Sequence, residues 1–159
     1  MTDNSVAVVG FAPEEMDPTQ PTRAARLKWV IVVNDGLPAG RAVNAAVCVA
    51  AATSSAVTGL LGDAAIDADG SAHPGLPWAG CSVLAADTAT LRAIRGKAAA
   101  AVGCFVADMP SAAQHTRVYA DYLAAMKEAV AEGLEYYAVS IVGPRNRVDK
   151  IVGRLPLMP

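Results

Sequence analysis

Apolar positions along this chain fall into short continuous runs separated by segments of helical period. "KWVIVV", from Lys28, is a β-rich run bounded by "NDG", which predicts a buried central strand. "CSVLAAD", "CFVAD" and "YYAVSIV" have the same character and predict three more strands. Between the first two lies a segment from about Arg41 to Leu61 that is apolar on most sides, so it reads as a helix largely covered by protein. Thr88 is placed to cap a second helix, "ATLRAIRGKAAAAV", with Leu91, Ile94 and Ala98 inward and Gly103 as its stop. Ser111 and Gln114 have the spacing of a capping box opening a third helix to Glu132. The apolar face of that helix would be Val118, Tyr119, Tyr122, Leu123, Met126 and Val130. "RNRVDKIVGRL" predicts a short terminal helix.

Strand and helix thus alternate four times, the pattern of an α/β sandwich with a mostly buried sheet. Residues 1–26 stand apart as an N-terminal arm. "SVAVVGF" could form a short strand, and "APEEMDPTQPTRAAR", with three prolines and mixed charge, suits an extended segment. Residues 27–159 then make a single α/β domain. Asp69-Gly70 marks a hairpin or tight turn in the link between the first helix and the second strand.

Composition narrows the class. The 159 residues are 53% hydrophobic and 18% charged, enough apolar material for one real core. Net charge is −2, which gives no global footprint for nucleic acid or an anionic membrane. Cys48, Cys81 and Cys104 are odd in number, sit in apolar stretches and lack metal spacing. They read as reduced core residues of a cytoplasmic protein, with no metal and no cofactor expected. No basic segment followed by an apolar run opens the chain, and no apolar run is long enough to span a bilayer.

Two stretches carry a resemblance. "KWVIVVNDGLPAGRAVNAAVCVAAA" resembles the first strand, loop and helix of type II peptidyl-tRNA hydrolases, and "SIVGPRNRVDKIVGRLPL" resembles their last strand and helix. The middle segment, "GDAAIDADGSAHPGLPWAGCSVLAAD", is similar to a bacterial domain-of-unknown-function family sharing that fold. The resemblance implies a three-layer sandwich on a four-stranded mixed sheet, and a homodimer. It also allows a comparison of the hydrolase's catalytic positions. Gly40 keeps the glycine, Arg41 stands for the first lysine and Val43 for the second. Ala45, Ala46 and Cys48 match, whereas Val47 replaces a glutamine and Ala50 a histidine. Asp108 matches the acidic residue after the third strand. Ester cleavage needs a group to activate water and one to stabilise the oxyanion, and valine and alanine do neither.

Chemistry must then come from elsewhere. Asn44, Cys48, Ser55 and Thr58 recur at helical spacing, and the amide of Asn44 can both donate and accept. Asn34, Asp35 and Arg41 flank the loop after the first strand, where open α/β sheets bind ligands, with Asp35 alternatively a helix cap. His73 and His115 are the two histidines, each able to exchange protons near neutral pH. Arg145, Arg147, Lys150 and Arg154, with Arg23, Arg26 and Lys28 of the arm, would contact phosphates if they converge. Trp29 and Trp78 are core anchors or pocket walls. Three readings result. The first is a protein binding a small molecule or partner through Asn34, Asp35, Arg41 and Cys48. The second is a hydrolase with a rearranged set of Asn44, Asp108 and His115. The third is a dimerisation module built on the alanine-rich helix.

Overall fold

The protein is described from a computed structural model covering residues 8–159. Four strands form the main sheet: β1 (Leu27–Asn34), β4 (Ser82–Ala86), β5 (Phe105–Pro110) and β6 (Tyr136–Pro144), ordered β4-β1-β6-β5. A two-residue hairpin, β2 (Ala65–Ile66) with β3 (Ala72–His73), stands apart. β1 runs parallel to β4, while β6 is antiparallel to both β1 and β5. β1, β4 and β5 therefore point the same way, and their carboxyl ends share one edge of the molecule. The sheet is mixed, as expected.

Helices cover both faces. On one side lies α1 (Ala39–Ala56), burying Ala42, Ala45, Val49 and Thr53 against β1, β5 and β6. On the other lie α2 (Thr88–Ala99) and α5 (Arg145–Val152), which bury Leu91, Ile94, Ala98, Val148 and Val152. Alternate strand residues separate the two cores. Trp29, Ile31 and Val33 face α1, and Val30 and Val32 face α2 and α5. This alternation gives the sheet its continuous apolar sequence, because neither face meets water.

One polar chain crosses the α1 side of the core. The Trp29 indole Nε1–H donates to Ser140 Oγ at 2.8 Å, and the Ser140 and Thr53 hydroxyls lie 2.7 Å apart. Thr53 Oγ1 donates to the Val49 carbonyl, also at 2.7 Å. That last bond uses Thr53's only proton, so Ser140 donates to Thr53, and every proton in the chain has an acceptor.

Several expectations are corrected. α1 ends at Ala56 rather than Leu61, and only one stripe of it is covered; Val43 and Val47 are 63% and 59% exposed. The cap of α2 is Asp87, whose carboxylate accepts from the Thr90 N–H, and not Thr88. The helix expected over 111–132 is broken into α3 (Ala112–His115), α4 (Tyr119–Glu128) and a 3₁₀ turn at Ala131–Gly133. Thr116 and Val118 adopt extended backbone between α3 and α4, and the Thr116 hydroxyl donates back to the Ala112 carbonyl. Ser111 makes no side-chain cap, so the capping box is not formed. Cys48 and Cys81 are exposed and so are not core residues, while Cys104 is half-buried against the α2-side core.

The arm is packed rather than extended. Phe11 is buried edge-on against Trp78, and 3₁₀ turns form at Pro13–Glu15 and Thr22–Ala24. Glu15 accepts from the Arg26 guanidinium and from the Ala12 N–H, and these bonds lower its pKa from 4.5 to about 2. Of the strand expected in "SVAVVGF", residues 5–7 lie outside the described residues, and residues 8–11 form no strand. At Gly10 a single parallel bridge to Thr58 forms. The Asp69-Gly70 turn is present, with Gly70 at φ +87° and the Asp67 carboxylate accepting from the Asp69 and Ser71 N–H groups. Beyond the hairpin, a Cβ on Gly75 would lie 1.8 Å from the Gly62 carbonyl oxygen, so only glycine lets the two backbones cross there.

Candidate functional site

Where β1 ends, the Asn-Asp-Gly sequence folds into a tight turn whose polar groups serve the turn itself. Asn34 is buried, its Oδ1 accepting from the Gly36 N–H at 2.9 Å and its Nδ2 donating to Thr88 Oγ1 at 3.0 Å. This is an Asx turn that also ties β1 to the start of α2. Asp35 is exposed, its N–H bonded to the Ala86 carbonyl, and it does not cap α1. Arg41 lies exposed in the first turn of α1.

The remaining candidates gather on the other side of α1, along β5. Gln114 of α3 reaches α1, its Nε2 donating to the Arg41 carbonyl at 2.9 Å and to Asn44 Oδ1 at 3.1 Å. His115 Nε2 shares a 3.0 Å hydrogen bond with the Tyr137 hydroxyl. Asp108 Oδ2 accepts from Arg95 Nε at 2.9 Å. The three groups of the rearranged hydrolase set thus have three separate partners.

Asp108 and Cys48 meet instead across a cleft of about 450 Å³, bounded by α1, β5, α3 and the start of α4. Thr116, Arg117, Tyr119 and Tyr122 complete its polar lining. The break between α3 and α4 makes this cleft, because it turns Tyr119 and Tyr122 along its wall, their rings 5.5 Å apart. Arg95 fixes one oxygen of Asp108 from the α2 side, and its guanidinium lies 5.6 Å over the Tyr136 ring. The other carboxylate oxygen has no partner among the described residues. Burial raises the pKa of the Tyr122 phenol, as do the negative charge of Asp108 and the neighbouring Tyr119. The phenol therefore remains a donor at neutral pH. A carboxylate acceptor, a phenolic donor, a hydroxyl, a thiol and a guanidinium around one concavity suit hydrogen-bonded recognition of a small molecule.

Thr116, Arg117, Tyr119 and Tyr122 form a wall that no local pattern marks. The Tyr-x-x-Tyr spacing predicts a core face, yet Tyr119 is exposed. His73 bonds Asp67 at 3.2 Å in the hairpin, away from this cleft. Of the tryptophans, Trp29 is a core anchor and Trp78 a pocket wall beside the arm. Among the described residues no three His, Cys, Asp or Glu side chains could hold a metal ion. No helix of the described residues is long and apolar enough to cross a membrane.

A solved structure of a protein of unknown function, Atu0240 from Agrobacterium tumefaciens strain C58, is similar in fold, with a TM-score of 0.78 and 16% identity. The similarity covers 84% of this chain and 98% of that one. No curated protein matches the sequence. The model of the DUF2000 family, described as proteins of unknown function, matches residues 27–159. The chain belongs to the DUF2000 family.

Proposed function

We propose that this protein binds a small molecule in the cleft over Asp108, on a fold of the type II peptidyl-tRNA hydrolase kind, and does not cleave peptidyl-tRNA. The observation carrying this reading is the convergence of Asp108, Cys48 and the two tyrosines on one concavity within the size range of ligand sites. The side chains at the positions that match the hydrolase's catalytic residues support the second clause. Val43 and Val47 are exposed on α1 and Ala50 is half-buried, and none can activate water or bind an oxyanion. All three cysteines are free, which supports a reducing, cytoplasmic setting.

Backbone amide shifts recorded against a library of small polar ring compounds test the site. Binders are expected to move the signals of Cys48, Asp108, Ala113 and Tyr122 together, and Tyr122→Phe to weaken binding about fivefold through loss of one hydrogen bond. Shifts clustered at Asn34 and Asp35 instead, or the absence of any binder, would reject the site.

A second reading concerns self-association. Val43 and Val47 of α1 border an apolar groove with Val33, Val83 and Met158. A homodimer would cover this surface. Sedimentation at micromolar concentration is expected to give a dimer that Val47→Asp converts to monomer. A wild-type monomer would count against it.

A further inference from the structure

Three of the seven basic residues that the sequence offers at the arm and the terminal helix converge. Arg23, Lys28 and Arg145 line one pocket of about 310 Å³ at the amino ends of β1 and β4, the edge opposite the Asp108 cleft. Its remaining walls include Thr22, Gly80 and Ser82, and its lining is mostly polar. The three cations come from three separate parts of the chain: the arm, β1 and the first residue of α5. Lys28 is paired with Asp149 at 2.5 Å, which leaves two positive charges in excess around the pocket. The whole chain carries −2, so this is a local reversal of sign.

Donors remain free for a ligand. Arg145 spends Nε on the Ala25 carbonyl and Nη2 on the Thr22 and Ala25 carbonyls, while Nη1 has no partner among the described residues. The Arg23 side chain makes no hydrogen bond to the described residues, and Lys28 uses one of its three N–H groups on Asp149. Guanidinium forks beside a hydroxyl-bearing wall match the oxygens of a tetrahedral anion. We propose that this pocket binds the phosphate or pyrophosphate group of a small phosphorylated molecule. The concavity, about 310 Å³ and open to solvent on one side, has room for such a group. Arg147 does not extend it toward a nucleic-acid track, because its guanidinium is drawn to the Val102 carbonyl. Arg145 both faces the pocket and clamps Thr22 and Ala25, so a bound anion also fixes the arm.

Titration of the full chain with sodium pyrophosphate, followed by amide shifts, tests the proposal. Saturable shifts are expected at Arg23, Lys28, Gly80 and Ser82, weakening as sodium chloride rises. Arg23→Ala is expected to weaken binding about tenfold, the loss of one charge-assisted contact. Lys97→Ala removes an exposed charge from α2 and is expected to leave the affinity unchanged. Arg23→Lys is expected to restore part of the loss. The absence of saturable shifts, or equal weakening by Arg23→Ala and Lys97→Ala, would overturn the site. A ten-nucleotide RNA that binds tighter than pyrophosphate and spreads the shifts to Lys150 and Arg154 would overturn the small-molecule assignment.

Discussion

Ser140→Ala is expected to destabilise the protein by about 2 kcal/mol, the cost of orphaning a buried donor. Ser140 is fully buried on β6, between Trp29 on β1 and Thr53 on α1. Alanine removes the acceptor of the indole N–H and the donor to Thr53. Thr53 still has the Val49 carbonyl for its own proton, so the unmet group is Trp29 Nε1. Thermal unfolding is expected to drop by roughly 4–8 °C for a chain of this size. Thr53→Val should cost a similar amount by stranding the Ser140 proton. The double variant should then cost less than the sum of the two, since the three groups act as one chain. Strict additivity would show that the hydroxyls do not form this chain.

Leu91→Ala carries the larger expected loss, about 3–4 kcal/mol, the range for a leucine removed from a rigid core. Leu91 is wholly buried on the underside of α2, within the cluster of Val30, Val32, Ile94, Val139, Ile141 and Val148. Both sheet and helices meet at that cluster, so no neighbour can relax into the space without unseating another. Val102→Ala, in the exposed loop after α2, is the paired control and is expected to change stability by under about 0.5 kcal/mol. Chemical denaturation of the two variants checks both values. A Leu91→Ala loss no greater than that of Val102→Ala would contradict the packing described on the α2 face.

The four sheet strands were legible because each is a short, mostly apolar run bounded by turn or helix signals. α2 was legible too, through Leu91, Ile94 and Ala98, although the cap fell one residue early. α1 shows why composition alone misplaces a stripe. Its sequence is apolar nearly all round, so periodicity does not say whether Val49 or Cys48 faces the sheet. Spacing of three, four and four selects Ala42, Ala45, Val49 and Thr53, and puts Cys48 one position over, on the cleft. The segment 111–132 failed for a different reason. Its helical period is real, but Gln114 is spent on α1 and the Thr116 hydroxyl on its own backbone, and the chain turns there to wall the cleft. Tertiary partners decided that break, and no local rule names them. Asn34 reads as a ligand group because it ends a strand. The following Asp-Gly was the signal for an Asx turn that consumes its side chain.

Native mass spectrometry, comparing the folded and denatured masses of the purified chain and of Ala52→Trp, tests the ligand-binding account most directly. Ala52 lies exposed on α1 in the wall of the Asp108 cleft, so a tryptophan there fills the concavity without entering the core. The account predicts a small molecule on the folded chain, lost on denaturation and absent from Ala52→Trp. A folded wild-type mass equal to the denatured mass, or a set of adducts unchanged by Ala52→Trp, would contradict it.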